Sequence, residues 1–270
     1  MRTRDLKQAA DVLNNVGWFV PPYVGVGLIE AVASAITRAQ NRLTENDLEV
    51  VLASIYSPDR LAAMVTSRYP QIPIVDLYQQ TISEAIAAHF SGLRHVAVGG
   101  LIPVVEGIGR ELARLRGLNS QGPVKKVFTD LLEDAKSDVV NRNIGATQEI
   151  LDMLKAFLHF LKEYFFKDSQ MYSLLDKTNR HGILHGAYKD ADYGRPINFY
   201  KTISAIDILT FVSMLKTNKM SGFAPSQTPE SDALAEHYRR LQQKQFHEHF
   251  EPKGIDLTSN GDGETTNDKG

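Results

Sequence analysis

The chain has 270 residues, enough for one large domain or two smaller ones with a proper hydrophobic core. Thirty Lys and Arg face thirty-two Asp and Glu, and the formal net charge of −2 excludes both a basic nucleic-acid coat and an acidic tail protein. There is no cysteine, which excludes disulfides, thiolate zinc sites and thiol nucleophiles and fits a cytoplasmic location.

The opening residues carry positive charge, but Asn14 and Asn15 interrupt any apolar run of signal-peptide length, so export is not expected. The longest apolar run, Val96 to Val105, is roughly half the ~20 residues a membrane helix needs. Nearly every segment carries helical spacing and none alternates over a strand's length, so the expected class is all-α.

Residues 1–70 read as an N-terminal helical module of short helices, split by Pro21-Pro22, Pro58 and Pro70. Helix starts are marked by the capping-box pattern at Thr44 to Asp47, by Ser57-Pro58 and by Thr228-Pro229. Residues 71–217 read as a bundle of about four long helices. The first, Ile74 to Phe90, puts Val75, Tyr78, Ile82, Ala85, Ile86 and His89 on one side. The second runs through Val98, Leu101, Val105, Ile108, Leu112 and Leu115, with Gly99, Gly100 and Pro103 predicting a kink. The third spans Thr147 to Phe166 and the fourth Ile197 to Leu215, burying Phe199, Ile203, Ile206, Leu209 and Val212. Residues 218–251 form a linker and a polar helix from Pro229 to Phe250, and 252–270 form a polar, Gly-rich tail expected to be disordered.

One stretch concentrates chemistry: Asn179-Arg180-His181-Gly182-Ile183-Leu184-His185-Gly186, with two imidazoles and a guanidinium inside six residues. On an ideal helix His181 and His185 share a face, whereas Arg180 and His185 point ~140° apart. Convergence of Arg180 with His185 therefore requires a helix that begins or bends here. Blander roles stand beside this one: Arg180 pairing with Asp176 or capping a helix, Glu106 orienting Arg180 or lying in a polar groove, and Tyr193 and Asn198 serving as loop and cap residues. Arg110, Arg114, Arg116, Lys125 and Lys126 read equally as a phosphate track or a solvated face. His181 and His185 also have metal-pair spacing, with Asp176 or Asp190 as third ligand, although no Glu occupies the metalloprotease position. His237, His247 and His249 fall on the polar helix near the tail, where exposed histidines are the ordinary case.

The string Arg180-His181-Gly182-Ile183-Leu184-His185, beside the last long helix of a bundle, resembles the Arg-x4-His signature of HEPN domains. Asn179 to Gly186, then Tyr193-Gly194 and Asn198 leading toward Ile206, is similar to a bacterial subgroup, as is Pro103 to Gly107 with Glu106. The resemblance covers roughly residues 74 to 216. It implies a metal-independent endoribonuclease with no cofactor, in which Arg180, His185 and His181 are catalytic and Asn179, Glu106, Tyr193 and Asn198 supporting. It further implies RNA as substrate, a homodimer, and a setting such as phage defence or a toxin–antitoxin pair with a regulatory partner. The alternative is a non-catalytic helical dimer that binds nucleotide, RNA or a partner.

Such a nuclease needs a base for the 2′-hydroxyl proton, charge stabilisation at the phosphorane, and an acid for the 5′-oxygen. Imidazole serves both proton transfers, and guanidinium matches phosphate oxygens. The complementary acid is His181 or the His185 of a second protomer.

Overall fold

The computed structural model describes residues 10–38, 45–216 and 223–250, all helix, turn or loop with no strand among them. After a helical stretch at 10–15, α1 (Val26–Arg38), α2 (Glu45–Ile55) and α3 (Pro58–Ala63) are the short helices expected between the prolines. Ser57 caps α3 by accepting the Arg60 amide at 3.3 Å, with Pro58 in the first turn where its missing donor is harmless. The Thr44 cap lies outside the described residues.

The bundle follows as α4 (Gln79–Phe90), α5 (Arg94–Leu115), α6 (Val124–Asn141), α7 (Thr147–Phe160), the short α8 (Arg180–Leu184) and α9 (Pro196–Met214). The first expected helix starts with a 3-10 turn, Val75–Tyr78, after Ile74 adopts φ 74°. The third ends in a π-helical turn, Leu161–Phe165. Helix α5 runs unbroken through Pro103, whose ring is exposed. Its Val98, Leu101, Val105, Ile108 and Leu112 are buried as the seam predicts, while Leu115, at the end of the helix, is exposed. Helix α6 is a fifth long helix, with Val127, Leu131, Ala135 and Val139 buried at helical spacing.

Helix α9 is the axis of the molecule. It was expected to bury one stripe, yet every residue from Ile197 to Met214 is buried, because α5, α2 and α7 pack around it. Its polar residues are therefore forced to find partners. Thr202, Ser204 and Thr210 bond back to carbonyls four residues earlier, and the Asp207 carboxylate accepts from Tyr69 Oη at 2.8 Å and from Arg60 at 3.4 Å. Arg60 also donates to the Tyr23 and Pro22 carbonyls, tying the Pro21-Pro22 corner to the bundle. One hydrophobic cluster accordingly extends from Ala10 to Tyr238.

Helix α10 (Pro229–Phe250) is the expected polar helix, and it packs on α3 and α4 through Ala235 and Tyr238. Thr228 and Ser231 exchange backbone-to-hydroxyl bonds at its start. Residues 217–222 of the expected linker and the tail after 250, including the expected disordered segment, lie outside the described residues. No helix of the described residues is long and apolar enough to cross a membrane.

The α5–α6 contact depends on a missing side chain. A Cβ on Gly109 would sit 2.1 Å from Phe128 Cζ in the core. Gly109→Ala is expected to cost about 1–3 kcal/mol through overpacking, read as a lower urea midpoint at unchanged slope. A wild-type midpoint would mean that Phe128 yields without loss.

Candidate functional site

Helix α8 has only five residues, too few to be stable alone, so its position is imposed from outside. Asn179 supplies the N-cap: Oδ1 accepts the Gly182 amide at 2.7 Å, and Nδ2 donates to the carbonyls of Tyr164 (2.8 Å) and Lys167 (2.9 Å). A fully buried asparagine thus joins the start of α8 to the end of the preceding helix. Gly182 is required because Tyr188 lies against it, only 2.3 Å from where a Cβ would stand. The chain curls back through Gly186 (φ 67°), and Tyr188 N donates to the Gly182 carbonyl.

Upstream, residues 176–179 turn through Lys177 in a left-handed conformation (φ 57°), which ordinary side chains seldom adopt. The Asp176 carboxylate accepts the Thr178 amide at 2.8 Å and Tyr172 Oη at 2.5 Å, and it is ion-paired with Lys201 of α9. Burial alone would push the Asp176 carboxyl up; the Lys201 ammonium and the hydrogen bonds outweigh it and hold it below the ordinary range. Asn198 closes the turn from the other side. Its Oδ1 accepts the Arg195 amide at 3.0 Å, and its Nδ2 donates to the Asp176 carbonyl and to Thr178 Oγ1.

On this support Arg180 and His185 meet. Arg180 Nη1 lies 3.1 Å from His185 Nε2, and Nε and Nη2 of the same guanidinium reach Glu106 Oε2 at 3.0 and 2.9 Å. The ~140° divergence of an ideal helix is overcome because Arg180 opens α8 while His185 is already past its end, at φ −98°, ψ 9°. A guanidinium only donates, so in this contact Nε2 is the acceptor and Nδ1 carries the ring proton. The His181 ring is 4.6 Å from that of His185, and both residues are exposed.

Glu106 does orient Arg180, and it also binds Arg110, whose Nη1 holds the Ser120 and Gly122 carbonyls. The Arg180–Asp176 pairing weighed from the sequence is overturned, since Asp176 is committed to Lys201. Asn198 and Tyr193 are not in contact with the Arg180–His185 pair. Asn198 acts from below, and Tyr193 packs edge-on against His95 at 4.8 Å. His95 Nε2 in turn donates to the Asp190 carbonyl, which anchors the loop leading to α9.

Of the five basic residues, Arg114, Lys125 and Lys126 are exposed, whereas Arg110 and Arg116 are held by acidic partners. Arg116 is buried against Asp134 and Asp138, Arg114 pairs with Glu111, and Lys126 with Asp130. Among the described residues no group of three or more His, Asp or Glu side chains is placed to hold a metal ion. The residues that sequence reasoning missed are Tyr172, Asp176 as a buried acid, Lys201 and Tyr164; a lysine amid apolar or neutral neighbours in the helical stretch around residue 201 was the available signal, and it points to Lys201 alone. His237 is exposed on α10; the side chains of His247 and His249 lie outside what is described. No protein-family model, curated protein sequence or solved structure matches the chain.

Proposed function

We propose that the protein is a metal-independent endoribonuclease of HEPN type, with α5, α8 and α9 as the site-bearing part of a HEPN-like bundle. The observation that carries this reading is the 3.1 Å approach of Arg180 Nη1 to His185 Nε2 at an accessible surface, with Glu106 fixing the guanidinium. A phosphate oxygen entering between them replaces the imidazole as the partner of Nη1 and frees the Nε2 lone pair. His185 then takes the proton of the 2′-hydroxyl as its oxygen attacks phosphorus. Arg180 neutralises the developing phosphorane charge. The bond to the 5′-oxygen breaks, and that oxygen takes a proton from His181 or from the His185 of a second protomer. The products are a 2′,3′-cyclic phosphate and a 5′-hydroxyl.

The test is incubation of purified protein with structured RNA in EDTA. The expected outcome is cleavage that persists in chelator, leaves cyclic phosphate ends, spares a substrate with 2′-deoxyribose at the cut position, and is lost in His185→Ala at an unchanged melting temperature. Loss of cleavage in EDTA would replace this reading with a metal site. RNA retention without cleavage would replace it with a binding module.

A further inference from the structure

Lys201 is an ammonium with no solvent exposure in the middle of α9, paired with an Asp176 carboxylate that is 1% exposed. A buried ion pair seldom repays its desolvation, so its presence calls for another explanation. The pair lies directly beneath the turn that launches α8. Lys201 Nζ grips Asp176 Oδ2 and also reaches the Val16 carbonyl at 3.4 Å. Asp176 Oδ1 receives the Thr178 amide, and Tyr172 Oη, itself donating to Asp176, accepts the same amide at 3.1 Å. One residue after Thr178, Asn179 begins the cap that aims Arg180.

We propose that Asp176, Lys201 and Tyr172 form a buried electrostatic anchor that positions Arg180 against His185, so that these three are positioning residues for the site. The proposal rests on the ribonuclease reading for its kinetic consequence, but not for its structural one. A five-residue surface helix held only by its own backbone bonds frays. Held by the anchor, it opens only when α9 opens.

Hydrogen exchange on the full wild-type chain tests this without any substitution. The amides of Thr178 and Gly182, which donate to Asp176 and Asn179, are expected to exchange as slowly as amides in the centre of α9. Exchange a hundredfold or more faster, at rates typical of a surface turn, would overturn the proposal. Tyr172→Phe removes one hydroxyl and leaves the ion pair, so the fold is expected to survive. It should speed Gly182 exchange about tenfold and broaden the Arg180 Nε–H signal that reports the Glu106 bond, with central α9 amides unchanged. The double variant Asp176→Asn/Lys201→Met removes both charges together. It should move the His185 ring signals toward those of a free imidazole and lower kcat at least tenfold with KM within twofold. Wild-type Arg180 and His185 signals in the folded Tyr172→Phe protein would sink the anchor. If no preparation cleaves RNA, the exchange and ring signals still decide the structural claim, and only the catalytic reading falls.

Discussion

Arg180→Lys is expected to slow RNA cleavage about 10²–10³-fold, the loss typical of removing one donor aimed at a developing oxyanion, while the melting temperature hardly moves. Arginine satisfies three demands with one planar group: two nitrogens face Glu106 and a third faces the position of His185 Nε2. A lysine ammonium is a single point of charge on a flexible stem, so a lysine that bonds Glu106 no longer extends a second donor toward a phosphate. The stability change is small because the ion pair is partly solvated, with Arg180 and Glu106 side chains 22% and 16% exposed, and such pairs contribute about 1 kcal/mol or less. Glu106→Gln should lie between, about tenfold down, since it keeps a hydrogen-bond acceptor and loses the charge that fixes the fork. Arg110 stays in place in that variant through the Ser120 and Gly122 carbonyls. Steady-state cleavage of a short RNA, with urea unfolding of each variant, measures both parts. An Arg180→Lys protein that cuts at the wild-type rate would show that the guanidinium geometry does not serve catalysis.

Helical class and most element positions were legible because they depend on local rules. Apolar spacing located the cores of α4, α5, α7 and α9, and the hydroxyl-proline pairs at Ser57 and Thr228 marked true helix starts. The motif segment was also legible as a cluster of reactive types, though its convergence was not. That convergence depends on where α8 stops and on Glu106, which lies seventy-four positions away in sequence. The same reason hides the Asp176–Lys201 pair: neither residue belongs to a periodic stripe, and α9 is enclosed on all sides, so its polar residues give no outward face to read. The choice between a phosphate track and a solvated face for the basic residues was hidden for a related reason. Composition counts arginines, but it does not show that Arg116 points inward to two aspartates and a helix C-terminal carbonyl, Val212 O.

The response of stability to acid is expected to be shallow in the wild-type protein between pH 7 and 4.5, and to split in opposite directions in two single variants. His89, on the core stripe of α4, is stacked on Phe199 with ring centroids 3.9 Å apart. Burial, helped by nearby Arg94, lowers its imidazole from 6.5 to about 3. As pH falls below 6.5 the unfolded chain binds a proton that the native state refuses, so stability is lost, by roughly 2–3 kcal/mol at pH 4.5. Asp207 works the other way. Burial raises its carboxyl from 3.8 to about 6 against the pull of Arg60, Tyr69 and Arg68, so the native state takes up a proton first. Stability is then gained as pH falls through 6, by roughly 2 kcal/mol at pH 4.5. Asp176, held low, contributes stability above its ordinary 3.8 that is lost only below this window. His89→Phe keeps the stack and removes a buried Nδ1 that has no partner among the described residues. It should therefore fold, and its stability should rise on acidification. Asp207→Asn keeps an acceptor for Tyr69 and Arg60, and its stability should fall more steeply than wild type over the same interval. Urea titrations at pH 7, 6, 5 and 4.5 measure all three curves. Parallel curves for wild type and His89→Phe would mean that the imidazole is not the group the native state keeps neutral.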